Sequence, residues 1–466
     1  MRVSKRKVVV LVYVLAMFMA AMDATITNVA LPAIGAAFQI PLSATSAINV
    51  GYLVGVAMLL PIAGWLGDRF GTKRVFLLSL SIFTVSSLFC GMAESLITLN
   101  MARIIQGAAG GLLTPVGMAI LFRTFSPEER PRLSRMIVFP IAVAPALGPI
   151  IGGFLVDHLS WRWIFYINIP FGILAVIVGM LFLEEYRKET RERFDGKGFL
   201  LSVFGFSMFM YALTQGPSQG WTSPEIWTTG VLGLSFMLAL IFVECRAKDP
   251  LLDLKLLNEP LFRIMSIISA CSAAALFGML YIFPLMYQNA LHVSALHTGL
   301  TVFPEAIGLM ISSQLLPTSL KKLGVKRLMI LSLTGSVVVF ALIAFLSASV
   351  TPWTVRVLMF SVGIFLGHSV GVLRATAFNH ISHGSMARAT TLFQVQYRLG
   401  SVLGVAILAS VIGFADVIGG SQTSPIIYQC ALFGSAIFLI LSLIFAIQLK
   451  NTEKISEAPP QKARAS

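Results

Sequence analysis

Charge and cysteine are both scarce in this chain, and each shortage narrows its class. Of 466 residues only 12% are charged and 57% are hydrophobic, with a mean hydropathy of +0.86. A soluble domain carries roughly 25% charged residues, so the chain reads as an all-α polytopic membrane protein. The four cysteines, Cys90, Cys245, Cys271 and Cys430, lack paired spacing. Neither a disulfide framework nor a zinc site is expected from them, and they read as small core residues. No GxxxxGK[ST] loop occurs, which removes ATP hydrolysis by that mechanism and leaves an ion gradient or the substrate itself as the energy source. His380 and His383 have no third ligand nearby in sequence, so no metal or cofactor is expected. The net charge of +14 does not imply nucleic acid, because the basic residues sit in short connectors without interleaved aromatics.

Apolar stretches long enough to span a bilayer fall at residues 8–28, 45–66, 75–93, 97–120, 136–156, 163–183, 198–216, 226–244, 264–288, 297–317, 327–349, 353–374, 388–412 and 426–448, fourteen in all. Lys and Arg are absent from connectors 37–43, 91–96, 216–225, 289–296 and 413–425 and abundant in the alternate ones. The positive-inside rule then puts both termini in the cytoplasm. The basic start is followed by about twenty apolar residues, longer than the ~7 to 15 of a signal peptide, and reads as the first span. The expected domains are 1–183, a six-helix bundle; 184–263, linkers with two extra spans; 264–449, a second six-helix bundle; and 450–466, a disordered tail.

Several strings place polar chemistry in this apolar frame. GWLGDRFGTKR packs Gly64, Gly67, Asp68, Arg69, Gly71, Lys73 and Arg74 into one short connector. Asp68 ends its helix, where the macrodipole disfavours an anion. It therefore needs Arg69, Arg74 or a helix N-terminus from the other half as partner. PTSLKKLGVKR, 317–327, aligns on that string without gaps, keeps its glycine and final Lys-Arg, and has Lys321 in place of Asp68. Asp23 in MDATITNVALP lies past the middle of the first span, roughly 22 Å along a helix. Arg103 in LNMARIIQGAAGG falls at a similar depth. A guanidinium beside such a carboxylate holds it deprotonated, and separating the two favours protonation. Glu305 in FPEAIG is a second buried acid, and Arg398 in QYRLGSVLG falls near mid-membrane, where it is expected to pair with an acid or a carbonyl. Phe18, Met19 and Met22 next to Asp23 form either a loose substrate pocket or a lipid-facing strip. His368 reads as a hydrogen-bonded packing residue, and Arg374 as a cation near the end of its span that snorkels to the surface. The small-residue pairs Gly51/Gly55 and Gly107/Gly111 read as ordinary helix packing.

GWLGDRFGTKR resembles the signature loop of the major facilitator superfamily, and LNMARIIQGAAGG its span 4 motif. MDATITNVALP, and WRWIFYINIPFG at 161–172, resemble strings of the fourteen-span drug:proton antiporter family within it. APALGPIIGGFL, 144–155, with Pro145, Gly148, Pro149, Gly152 and Gly153, resembles the span 5 motif that marks exporters, although Ala144 stands where the motif has glycine. The resemblance covers about residues 8–448 and implies a major facilitator fold of two six-helix bundles plus two central spans. It further implies a bacterial cytoplasmic-membrane multidrug exporter, with Asp23, Arg103, Glu305 and Arg398 in proton coupling and the Asp68 loop as a gate. Implied partners are hydrophobic or cationic small molecules, protons and the lipid bilayer. A dedicated exporter of one metabolite or lipid would share these motifs. A nutrient symporter fits the span 5 string less well, and a membrane-embedded enzyme would need a nucleophile and base that are not found.

Overall fold

Backbone amides inside a bilayer must be satisfied within their own segment, and the regular elements are accordingly helical. The computed structural model describes residues 5–40, 42–126, 128–187, 195–247, 250–293, 295–346, 351–417 and 425–449, with no strand among them. The first half contains α1 (Lys5–Phe38), α2 (Leu42–Leu59), α3 (Ala63–Phe70), α4 (Thr72–Met92), α5 (Leu96–Thr124), α6 (Arg130–His158), α7 (Trp163–Tyr166) and α8 (Asn168–Phe182). Next come α9 (Gly196–Gln219) and α10 (Pro224–Arg246). The second half contains α11 (Pro260–Leu285), α12 (Ala295–Leu346), α13 (Pro352–Thr376), α14 (Met386–Val417) and α15 (Pro425–Ile447).

Among the described residues, twelve helical stretches are long and apolar enough to cross a membrane. One of them, His297–Leu346, is 50 residues long, about 75 Å at 1.5 Å per residue, more than twice a ~30 Å core. It bends at Gly324, whose φ of 71° and ψ of 172° are not helical. Helix α6 adds 29 residues beyond the twelve. The internal repeat is visible here, since Gly71, at the matching position of the first copy, also has a positive φ of 98°.

The halves pack within themselves, α1 on α6 and α2 on α5 in the first, α11 on α14 and α12 on α13 in the second. Helix α9 is wedged between α2 and α14, and α10 packs mainly on α9. Residues such as Phe89, Ile97, Met101, Trp227, Leu238 and Phe345 are exposed, an apolar belt that suits lipid and not water. Glycine allows the closest crossings. A Cβ on Gly55 would strike the Ile104 carbonyl, and one on Gly107 the Tyr52 carbonyl, so α2 and α5 meet backbone to backbone. Only Cys90 of the four cysteines is fully buried, because Cys245 and Cys430 lie on exposed helix faces; Cys271 is half-buried. His368 is a hydrogen-bonded packing residue, its ring lying 2.6 Å from Ser312 Oγ and 3.2 Å from Ser319 Oγ.

Two of the positive-φ glycines, Gly71 and Gly324, separate conformational strain from collision. A side chain on Gly71 would meet the Glu185 carboxylate, whereas nothing lies within 4 Å of a Cβ on Gly324. Gly324→Ala is expected to lose about 1–3 kcal/mol from backbone strain alone. Gly71→Ala should lose clearly more, and the two melting temperatures, measured side by side, check the order.

Candidate functional site

Asp23 sits midway along α1 and is fully buried, so its charge has to be met by protein. Arg103 of α5 supplies the counter-charge, its Nη1 donating to Asp23 Oδ2 at 2.6 Å. The same Nη1 donates to Gln106 Oε1 at 2.7 Å, one helical turn along. The other carboxylate oxygen accepts from Gln106 Nε2 at 3.2 Å and from Asn168 Nδ2 at 3.0 Å. Asn168, at the start of α8, also donates to Ser87 Oγ of α4 at 3.1 Å, and Ser87 donates to the Phe165 carbonyl at 2.9 Å. Arg103 is sandwiched by rings, Tyr52 of α2 at 4.5 Å and Phe165 of α7 at 5.7 Å. Six helices of the first half therefore converge on one carboxylate.

Sequence reasoning brings Asp23 and Arg103 together but misses the amides. Gln106 is three residues from Arg103 in the same string, a helical neighbour by spacing. Asn168 lies inside WRWIFYINIPFG, in which Trp161 is buried against Phe38 at 5.5 Å and Trp163 is exposed. Met19 and Met22 are fully buried and Phe18 is half-buried with its ring 6.5 Å from Phe171, so the lipid-facing alternative fails for the two methionines.

The second-half residues stay apart from this network. Glu305 of α12 is 7% exposed, and no side chain among the described residues hydrogen-bonds or ion-pairs with it. Arg398 of α14 is half-buried; contrary to expectation, it pairs with no acid or carbonyl among the described residues. It lies within electrostatic reach of Tyr52, the ring that covers Arg103. In the span 5 string, Gly148 and Gly152 crowd Thr25 and Ile26 of α1, but nothing lies within 4 Å of a Cβ on Gly153, so only two of the three glycines allow close approach. The side chains of Pro145 and Pro149 lie outside the described residues.

A second charged cluster closes the end of the bundle that carries the Gly71 turn, called here the basic end. Asp68 is buried and accepts from Arg123 Nη2 of α5 at 3.1 Å, with Arg388 Nε of α14 at 3.8 Å from its other oxygen. Arg123 is not among the expected partners, Arg388 acts through its guanidinium and not through the N-terminus of α14, and no ion pair from Asp68 to Arg69 or Arg74 is seen among the described residues. Arg74 turns instead to Glu185, 3.6 Å away, which also accepts from the Lys73 backbone amide at 3.0 Å. Lys73 Nζ donates to the Met180 carbonyl at 2.8 Å. Arg123 stacks on Tyr186 at 3.8 Å and donates to the His383 carbonyl at 3.2 Å. A Cβ on Gly64 would come within 3.0 Å of the Arg388 Cα, so this glycine lets α3 lie directly on the start of α14; Gly67 sits beside Ala387. Thr390 Oγ1 donates to the Pro115 carbonyl at 3.0 Å, a further tie between the halves. No group of three metal-ligating side chains occurs among the described residues.

Apolar helices around a buried ion pair define a polytopic membrane protein. Residues 13–405 match the profile of the Major Facilitator Superfamily, and the chain belongs to that superfamily of transporters. It is 29% identical to a putative multidrug resistance protein MdtD of Pectobacterium carotovorum, an alignment covering 95% of this chain and 96% of the relative. With the multidrug export protein EmrB of Haemophilus influenzae it shares 34% identity over 63% of this chain and 58% of that one. Among solved structures, the human organic anion transporter MFSD10 superposes with a TM-score of 0.69 at 16% identity, covering 95% of this chain and 100% of that one. A bacterial homologue of ferroportin in an outward-facing state gives 0.68 at 11%, covering 96% and 99%. At such identities these likenesses speak for the fold alone.

The Asp23–Arg103 pair predicts a non-additive mutant cycle. Arg103→Ala strands a buried carboxylate and is expected to cost about 3–5 kcal/mol. The double variant Asp23→Asn/Arg103→Ala should be more stable than Arg103→Ala alone, because the uncompensated charge is gone. Thermal melting of purified protein reads the difference.

Proposed function

We propose that this chain is a proton-coupled antiporter that exports hydrophobic, cationic or amphipathic compounds from the cytoplasm by alternating access. The observation that carries the reading is the Asp23 carboxylate, fully buried and held by one guanidinium and two amides. Such a charge is sustained only while its donors stay in place. A helix movement that pulls Arg103 away forces the carboxylate to take up a proton or water, which ties conformation to protonation. The names of the relatives, multidrug resistance and multidrug export proteins, support efflux as the direction and drugs as the cargo. Glu305, without an ionic partner, is the second proposed proton site, and Arg398, close to Tyr52, is the proposed link from the second half to the Asp23 network. The basic end is the cytoplasmic face, closed here by the Asp68 cluster, and fourteen spans put both termini on that side of the bacterial cytoplasmic membrane. Helices α9 and α10 are the two additional spans between six-helix bundles.

Coupling is tested in proteoliposomes with an imposed pH gradient and a lipophilic cation such as tetraphenylphosphonium. Asp23→Asn is expected to abolish uphill transport while binding persists and loses its pH dependence; Glu305→Gln should reduce transport less. If Asp23→Asn still concentrates the cation and Glu305→Gln does not, the roles are reversed.

Topology has its own check. A cysteine at Thr222, in the α9–α10 hairpin, should react with an impermeant thiol reagent added to intact cells. One at Lys255 should react only after the membrane is opened. Labelling of Lys255 from outside contradicts the orientation.

A further inference from the structure

At the basic end a cavity of about 20 Å³, space for one small guest, lies between the halves, lined by Tyr13 of α1, Phe122 of α5, Arg130 of α6, Arg374 of α13 and neighbouring apolar side chains. Its lining contains two guanidiniums and no carboxylate. Arg130 is 3% exposed; it stacks on Phe122 at 5.0 Å and donates from Nη1 to Asn379 Oδ1 at 3.1 Å, yet its buried Nε finds no acceptor. Arg374 makes no ion pair among the described residues, and the Tyr13 hydroxyl, within its electrostatic reach, donates to no described group. Neither adjacent acid lines the cavity. Glu129 is taken by Arg6 at 2.7 Å and by the Ser126 amide at 3.0 Å, and Glu128, exposed in the connector, reaches Arg130 as a neighbouring charge without a hydrogen bond to it.

Arginine cannot shed its proton to escape burial. Two such cations facing one cavity from opposite halves repel, and no carboxylate lines the cavity to offset them there. We propose that this cavity is an anion site, taking one chloride or one oxygen of a phosphate, either free or in the headgroup of an anionic lipid of the adjoining leaflet. Arg130 Nε, the Arg374 guanidinium and the Tyr13 hydroxyl are its donors, and charge-assisted bonds to all three tie α13 to α1 and α6. Occupancy stabilises the closed basic end, whatever the transporter carries.

The test uses full-length protein. In delipidated detergent solution, potassium gluconate is exchanged at constant ionic strength for potassium chloride or potassium phosphate. At tenfold the dissociation constant the melting temperature should rise by about 2 °C, and it should go on rising with the logarithm of the anion concentration. In a parallel arm, nanodiscs of phosphatidylcholine are compared with nanodiscs containing phosphatidylglycerol, all in gluconate. A rise with the salts assigns a free anion, and a rise confined to phosphatidylglycerol assigns the lipid. Either response should vanish in Arg374→Gln and persist, weakened, in Arg374→Lys. Tyr13→Phe, a milder change should Arg374→Gln fail to fold, should raise about fivefold the anion concentration needed for the same shift. The proposal is overturned if the wild type responds in neither arm, or if the variants respond as the wild type does.

Discussion

The buried Asp23 carboxylate is the constraint on which the first half is built. Taking a carboxylate and a guanidinium out of water costs several kcal/mol per ion unless geometry and further hydrogen bonds repay it. Repayment here needs α5 for Arg103 and Gln106, α8 for Asn168 and α4 for Ser87, all in register with α1. It also needs α2 close enough for Tyr52 to cover the guanidinium, and Gly55 and Gly107 permit that approach. The small residues that read as ordinary packing in the sequence thus set the electrostatics of the site.

Helix α5 joins this network to the far cluster. It carries Arg103 to Asp23 and, twenty residues later, Arg123 to Asp68, roughly 30 Å apart at 1.5 Å per residue. Between them the Pro115 carbonyl accepts Thr390 of α14, so the same helix is held by the second half at an intermediate level. A shift of α5 that loosens one carboxylate is felt at the other. This gives a physical reason for a closed basic end and a paired Asp23 to occur in the same structure.

What the sequence made legible was local. Hydropathy places the helices because each bilayer-length run declares itself, and the repeat aligns Gly71 with Gly324, which share a positive φ. Asp23 and Arg103 stood out because ions are rare in such runs. Their amide partners did not, since one Asn or Gln in a helix is chemically unremarkable until packing points it at a charge. Arg123 and Arg388 were hidden differently. Both lie at basic ends of helices, where topology alone accounted for them, and only the approach of α14 to α3 and α5 turns them into ligands of Asp68. Gly153 is the converse case, a glycine in a recognised string with nothing within 4 Å of a Cβ to accommodate.

The two halves differ in how they treat charge. In the first, each buried acid is met by arginine, Asp23 by Arg103 and Asp68 by Arg123 with help from Arg388 of the other half. In the second, Glu305 and Arg398 are left without ionic partners among the described residues, and the repeat has exchanged the acid of the first copy for Lys321. An uncompensated carboxylate in an apolar bundle stays buried cheaply only when protonated, whereas an uncompensated guanidinium has no such escape and must keep contact with water or another anion. The half-buried state of Arg398, against the nearly complete burial of Glu305, follows from that difference. A half whose buried acids are paired, packed against one that leaves charges open, is an arrangement in which relative movement of the halves changes which charges are solvated, and a charge-dependent conformational equilibrium needs no more than that.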